Sequence, residues 1–191
     1  MTRRDLILYL IKRFEFQSYL EIGCADNFTF KYVKVPNKVG VDPERGGTVR
    51  VTSDEYFCNL PEDAKFDLIF IDGFHQSDQV YRDIENSLKH LNENGLIVLH
   101  DCNPAKEKYQ IPNPGIWTGD AWKAFVHFRQ REDLDSCCGN FNFGCGVIIK
   151  RKNTDSVKLD KNYLDLTWAE LKVNKKKWLR LMGFGKLKKW L

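Results

Sequence analysis

The spacing of hydrophobic residues changes period several times along the chain. Leu6, Leu10, Ile11 and Phe14 share one face of a helix over about residues 3–15. A short strand, "SYLEIG" (18–23), follows, and "NFTFKYVK" (27–34) returns to a helix-like pattern. "KVGVD" (38–42) and "TVRVT" (48–52) read as strands, the second with alternating Val49 and Val51. "FDLIFID" (66–72) is apolar on consecutive positions, as expected of a strand covered on both faces. Val80, Ile84, Leu88 and Leu91 then mark one helical face, with Gly95 as its expected stop. "LIVLHD" (96–101) is another continuous apolar run ending in polar groups. Residues 102–120 are rich in Pro, Gly and Asn and long for a connection, which suits a lid or specificity loop. A helix resumes over 120–131, with Trp122, Phe125, Val126 and Arg129 on one side, and residues 134–150 read as a hairpin. The tail is helical with a break at Gly183–Gly185.

Alternating strands and helices predict an α/β fold with a mostly parallel sheet. Ligands in such folds bind beyond the carboxyl ends of the strands. Glu21 and Gly23, Asp42, Asp72 and Asp101 fall at or near four separate strand ends, and an interior would not tolerate them unpaired.

The length of 191 residues suits one domain with a sizeable core. The basic tail is assigned to that same domain: a body over 1–170 and an amphipathic helical segment over 171–191. Charge separates the two. Residues 171–191 hold eight Lys/Arg and no Asp/Glu, so of 30 basic and 26 acidic residues the body keeps 22 and 26, a net of −4 within a chain of +4. The net positive charge therefore says little about nucleic-acid binding at the main site. Most such tails dock an apolar stripe on their own domain. This one, with lysines beside Trp178, Leu181, Leu187 and Trp190, also suits an anionic surface or lipid interface. No apolar run is long enough to span a bilayer, and Asp5 and the lack of a small-residue cleavage site argue against a signal peptide. Six cysteines without C-x-x-C spacing read as reduced thiols, and a cytoplasmic location is expected.

Several chemistries lack their motif. There is no G-x-x-x-x-G-K-[ST] loop for an ATPase and no G-x-S-x-G nucleophile elbow. The G-x-G-x-x-G fingerprint is replaced by Gly-Cys-Ala-Asp-Asn-Phe at 23–28, where Asp26 would repel a pyrophosphate. A cationic sulfonium cofactor tolerates nearby acids, and Asp42, 21 residues after Glu21, is placed to accept ribose hydroxyls.

"LEIGCADN", "GVDPE", "FDLIFIDGFH" and "NENGLIVLHD" resemble class I S-adenosylmethionine-dependent methyltransferases over roughly residues 17–150. "IDGFH…YRDI" with "GLIVLHDCNP" and "WTGDAWKA" looks more particularly like the branch with metal-dependent sugar and macrolide-sugar O-methyltransferases and cephalosporin-hydroxylase-like proteins (methyltransferase family 24-like). The resemblance implies a Rossmann-like, doubly wound, seven-stranded sheet, mostly parallel with a C-terminal antiparallel hairpin. It implies that Glu21, Gly23, Cys24 and Ala25 line the methionine part of S-adenosylmethionine, that Asp42 holds the ribose, and that Ser53 and Asp54 sit near the adenine. The usual later glycines of the first loop are Ala25 and Asn27 here.

The resembled enzymes carry D-x-x-H with the Asp as metal ligand and cofactor neighbour and the His as base. By that carry-over Asp72 and His75 are the catalytic pair, and Asp72, Asp101 and His100 bind Mg²⁺ or another divalent ion; His100 stands where the family has an acid, and it could ligate a softer metal, hydrogen-bond structurally or leave the metal site weak. A hard cation beside a sugar diol lowers its pKa, and a near-neutral imidazole removes its proton. Trp117 and His75 are the expected contacts to a saccharide acceptor, whereas Trp122 suits the core. The alternatives are a non-catalytic methyltransferase-like module acting through its basic tail, a methyltransferase for another small-molecule or nucleic-acid acceptor, and a hydroxylase on the same fold.

Overall fold

The computed structural model describes residues 1–191. Helix α1 (Arg3–Phe14) starts on a capping box between Thr2 and Asp5 and buries Leu6, Ile7 and Leu10. Strand β1 (Ser18–Ile22) follows, then β2 (Asn37–Val41), α2 (Ser53–Asn59), β3 (Phe66–Ile71), α3 (Ser77–Lys89) and β4 (Leu91–Leu99). Helix α4 (Ala121–Phe128) leads into the hairpin β5 (Leu134–Gly139) and β6 (Cys145–Lys150). The tail forms α5 (Trp168–Leu179), β7 (Leu181–Met182) and α6 (Phe184–Trp190). No helix is long and apolar enough to cross a membrane.

The seven strands lie in the order β2-β1-β3-β4-β6-β5-β7. β2, β1, β3 and β4 are mutually parallel, and β6 runs antiparallel to both β4 and β5. Successive residues of the central strands feed two different cores, which is why these strands read as unbroken apolar runs. Leu20, Ile22, Ile69, Ile71, Ile97 and Leu99 pack on one face with α3, α4 and α5. Tyr19, Leu68, Phe70, Leu96 and Val98 pack on the other with α1 and α6. Strand order reverses at β1, so the crevice for a ligand opens between the carboxyl ends of β1 and β3.

Four expectations change. Residues 27–34 hold only a single 3₁₀ turn at Phe30–Tyr32, because Ala25 and Asn27 just before it take left-handed φ of 42° and 58° and turn the chain away from a helix. Residues 48–52 make one bridge, Val41 with Val49, rather than a strand. Left-handed Gly46 and Gly47 fold this segment back so that Thr48 and Val49 both donate to the Gly40 carbonyl. Gly95 lies inside β4, where a Cβ would come within 2.8 Å of Leu91 Cδ1 and 2.9 Å of the Asp67 carbonyl oxygen. It marks a register shift opposite β3, and α3 ends earlier, at Lys89. The seventh strand comes from the tail, where Leu181 and Met182 pair with Cys138 and Gly139 of β5.

The tail is docked. Leu171, Trp178, Leu179 and Leu187 are buried in the chain's own core, and Trp190 donates its indole N–H to Asp135. An interfacial membrane helix would need those apolar side chains free. Most of the tail's exposed side chains are lysines, Lys172, Lys176, Lys177, Lys186, Lys188 and Lys189, with Val173 the one large apolar side chain among them. Arg129, fully buried, secures the docking by donating to the carbonyls of Trp178, Ser136 and Lys177.

Candidate functional site

Past β1, Gly23 takes a φ of 84°, and a Cβ there would lie 2.2 Å from the Asp72 carbonyl oxygen. Only glycine lets the ends of β1 and β3 approach this closely. Asp42, past β2, accepts the backbone N–H groups of Ala25, Glu44 and Arg45, which fixes the loops after β1 and β2 against each other. Burial works against its ionisation, but these amides win and hold Asp42 below its ordinary pKa.

The strand ends surround a cavity of about 760 Å³. Of the sequence-expected residues, Glu21, Gly23, Cys24, Ala25, Asp42, Ser53, Asp72, His75 and Trp117 line it. Asp54 does not: its carboxylate meets Gln79 and Arg82 on the surface. Glu21, Asp26, Asp42, Glu44 and Asp72 face two arginines, Arg3 and Arg45, so the lining is acidic and fits a cationic sulfonium donor. Glu21 is buried, accepts the Tyr19 hydroxyl at 2.5 Å, and is pushed by desolvation up to about 8. An open hollow of about 740 Å³ near Glu85, Arg131 and Lys150 holds charged side chains but none of the strand-end residues.

At the reacting end, Asp72, His75 and Asp101 place donor atoms within 4.8 Å of one another. Residues 117–120 clamp His75. The Trp117 carbonyl lies 3.1 Å from Nδ1, and Asp120 N–H donates to the His75 carbonyl. Gly119, at a φ of 56°, passes so close that a Cβ would overlap the His75 carbonyl. The Asp120 carboxylate meanwhile accepts the Ser77 N–H and hydroxyl, capping α3 directly after His75. With Nδ1–H turned to Trp117, Nε2 keeps its lone pair, and the nearest acid oxygen, on Asp72, is 3.6 Å away. Burial lowers the basicity of His75, but Asp72 and Asp101 outweigh it and raise its pKa above the ordinary value.

Asp101 follows β4 at a φ of 59°, unusual for a residue with a Cβ. The hairpin turn holds it there: Cys102 and Asn103 donate their N–H groups to the carbonyls of Gly144 and Phe143. His100 Nδ1 lies 3.1 Å from Asp72 Oδ1 and 3.1 Å from Asp101 Oδ2. Arg3, from the first turn of α1, brings Nε within 2.9 Å of Asp72 Oδ2, with its N–H aimed off the oxygen, so the contact is ionic. Burial opposes the ionisation of Asp72, yet His100, His75 and Arg3 keep it well below the usual carboxylate range. Burial likewise opposes charge on His100, and the two acids raise it to about 10.

The three expected metal ligands, Asp72, Asp101 and His100, thus converge, but not around an open position. The gap between the acids is filled by the His100 imidazole, and Asp72's second oxygen is met by a guanidinium. A cation shared by both carboxylates does not fit this arrangement without displacing His100. Arg3, Glu44, Arg45 and Phe74 line the site without having been named from the sequence; a basic residue in the first turn of a helix gives no signal of where that turn will dock.

Residues 20–102 match the model of a family described as a methyltransferase domain. Among solved structures, the chain is similar to the O-methyltransferase TomG from Streptomyces achromogenes, involved in tomaymycin synthesis and solved with SAM, at 14% identity and a TM-score of 0.57, covering 78% of this chain and 79% of that one. An O-methyltransferase from Bacillus cereus in complex with SAH gives 12% identity and a TM-score of 0.57 over 78% of this chain and 80% of that one. The SAH-bound Podospora anserina methyltransferase PaMTH1 gives 16% and 0.56 over 78% of each chain. At these identities the likeness is one of fold. None of the curated proteins matches the chain in sequence.

Proposed function

Starting from a chain that carries a methyltransferase domain in the class I, S-adenosylmethionine-dependent fold, we propose that it methylates a hydroxyl oxygen of a small saccharide-like acceptor, with His75 as general base. The observation that carries this reading is one cavity in which the acids ending β1 and β2 meet His75. S-adenosylmethionine supplies an electrophilic methyl group and leaves as the neutral thioether S-adenosylhomocysteine. Glu21 and Gly23 would hold its amino-acid part, Asp42 its ribose, and Ser53 the neighbourhood of its adenine.

His75 supplies the other half of the reaction. Its Nε2 lone pair takes the acceptor's hydroxyl proton as the oxygen–methyl bond forms and the carbon–sulfur bond breaks. Asp72 and Asp101 then face the imidazolium that results. Trp117 and Phe74 meet edge to face, with ring centroids 5.8 Å apart, on the same side of the cavity as His75. Such aromatic surface suits the C–H face of a sugar ring while its hydroxyl turns toward the base. No step needs a metal ion in this scheme.

The test is a transfer assay with S-adenosylmethionine labelled in its methyl group and a panel of mono- and disaccharides, reading S-adenosylhomocysteine and methyl ether together. Equal yields of the two on at least one acceptor support the proposal. Failure of the wild-type chain to bind S-adenosylhomocysteine in calorimetry would sink it.

A further inference from the structure

We infer that His100 occupies the place of a divalent cation between Asp72 and Asp101, so that this acid pair is built to work without a metal ion. The inference deepens the methyl-transfer reading of the same pocket. Two carboxylates brought to one spot repel unless something positive or hydrogen-donating stands between them. In many oxygen-lined sites a hard ion does this, coordinated by both acids and by water.

Here the chain supplies its own occupant. A single imidazole nitrogen is equidistant, at 3.1 Å, from an oxygen of each acid, so one ring stands between both as their shared ion-pair partner. The ring is 6% exposed, so the space between the two acids is taken by the imidazole itself rather than by solvent. The other faces of the acids are also taken. Arg3 stands at Asp72 Oδ2, 2.9 Å away, and His75 Nδ1 lies 3.3 Å from Asp101 Oδ2.

Two features hold His100 in place. Its backbone N–H donates to the Ile71 carbonyl, which locks it beside the end of β3. Its ring meets Phe143 edge-on, at 6.5 Å between centroids, from the hairpin turn that also holds residues 102 and 103. The Nε2 atom is buried without a partner, so the ring's polar contacts are those of Nδ1 with the two acids. An acid at position 100 would instead place three carboxylates at the ends of β3 and β4 and leave the gap to a cation.

The test is a Mn²⁺ titration of the full chain, followed by the electron paramagnetic resonance signal of free Mn²⁺, on wild type, His100→Asp and His100→Ala. Wild type is expected to show no stoichiometric site at micromolar Mn²⁺. His100→Asp is expected to bind one Mn²⁺ at least about tenfold more tightly than wild type, since added carboxylate ligands raise affinity for hard cations. Micromolar binding by wild type that His100→Ala loses would make His100 a ligand and overturn the inference. So would a folded His100→Asp chain that binds no more tightly than wild type. Should circular dichroism show that His100→Asp fails to fold, the wild-type titration decides alone: a tight site refutes, its absence supports. S-adenosylhomocysteine calorimetry on the same samples keeps the two readings apart, because absence of S-adenosylhomocysteine binding removes the methyl-transfer reading and leaves the Mn²⁺ result standing.

Discussion

Glu21 gives the most quantitative prediction, because its carboxyl is buried and its pKa stands at about 8. At pH 7 roughly nine in ten molecules then hold a proton on this side chain. A ligand bringing a sulfonium and an ammonium into the cavity favours the ionised form, so binding expels that proton. The expected release is about 0.9 proton per S-adenosylmethionine at pH 7, about half at pH 8 and about a tenth at pH 9. Calorimetry in buffers of differing ionisation enthalpy measures this number directly, and Glu21→Gln isolates it from other titrating groups. A wild-type release near zero at pH 7, or an equal release from Glu21→Gln, would refute the assignment. The same group has a stability signature. Its folded pKa is raised above the ordinary 4.5, so its unfavourable contribution is absent below about pH 4.5 and grows as pH rises toward 8. Glu21→Gln is therefore expected to bind the cofactor worse yet melt higher at pH 8.5, by up to about 5 kcal/mol in free energy.

Three further outcomes are expected. His75→Gln lowers turnover by about 10²–10⁴-fold with S-adenosylhomocysteine affinity retained, as loss of a general base predicts; wild-type activity rises with pH through a midpoint above 6.5, and that limb disappears in the variant. Arg129→Met removes a buried guanidinium and leaves the three carbonyls it serves without that donor; urea unfolding should show a loss of about 3–5 kcal/mol, and less than about 1 would contradict its role. Ala25→Gly relieves a left-handed alanine at a φ of 42° and should stabilise the chain by about 0.5–1 kcal/mol, read as a higher melting temperature without ligand.

The parts legible in the sequence were those dictated by burial on two faces. The runs at 66–72 and 96–101 named β3 and the end of β4 because nothing but a covered sheet accepts so many consecutive apolar residues. Asp72 and Asp101 stood out as polar groups at the limits of such runs, and His75 followed from one of them. Local alternation failed at 48–52, where Val49 and Val51 promise a strand but the paired glycines before them redirect the chain. It failed again at Gly95, which is a helix stop by propensity and a strand residue by virtue of its contact with Leu91 and Asp67. The substitutions at Ala25 and Asn27 suggested a departure from the family's glycine loop. The backbone keeps left-handed geometry at both positions, Asn27 compensating through Gly47 N–H at 2.8 Å. His100 stood out in the sequence as a departure from the family's acid, but choosing among a ligand, a hydrogen-bonding group and a weakened site needs the geometry that brings Asp72 and Asp101 within 3.1 Å of one nitrogen, which exists only once β3 and β4 lie side by side.

The pairing of Leu181 and Met182 with β5 involves two residues, yet it lies on the outer border of the sheet. There it satisfies main-chain groups that would otherwise be offered to any passing β-segment. A chain shortened before Leu181 keeps most of its core but gains an adhesive border at Cys138 and Gly139. Such a chain is expected to pair with its own copies along β5, so the last eleven residues cover a sheet border as well as adding Leu187 to the core.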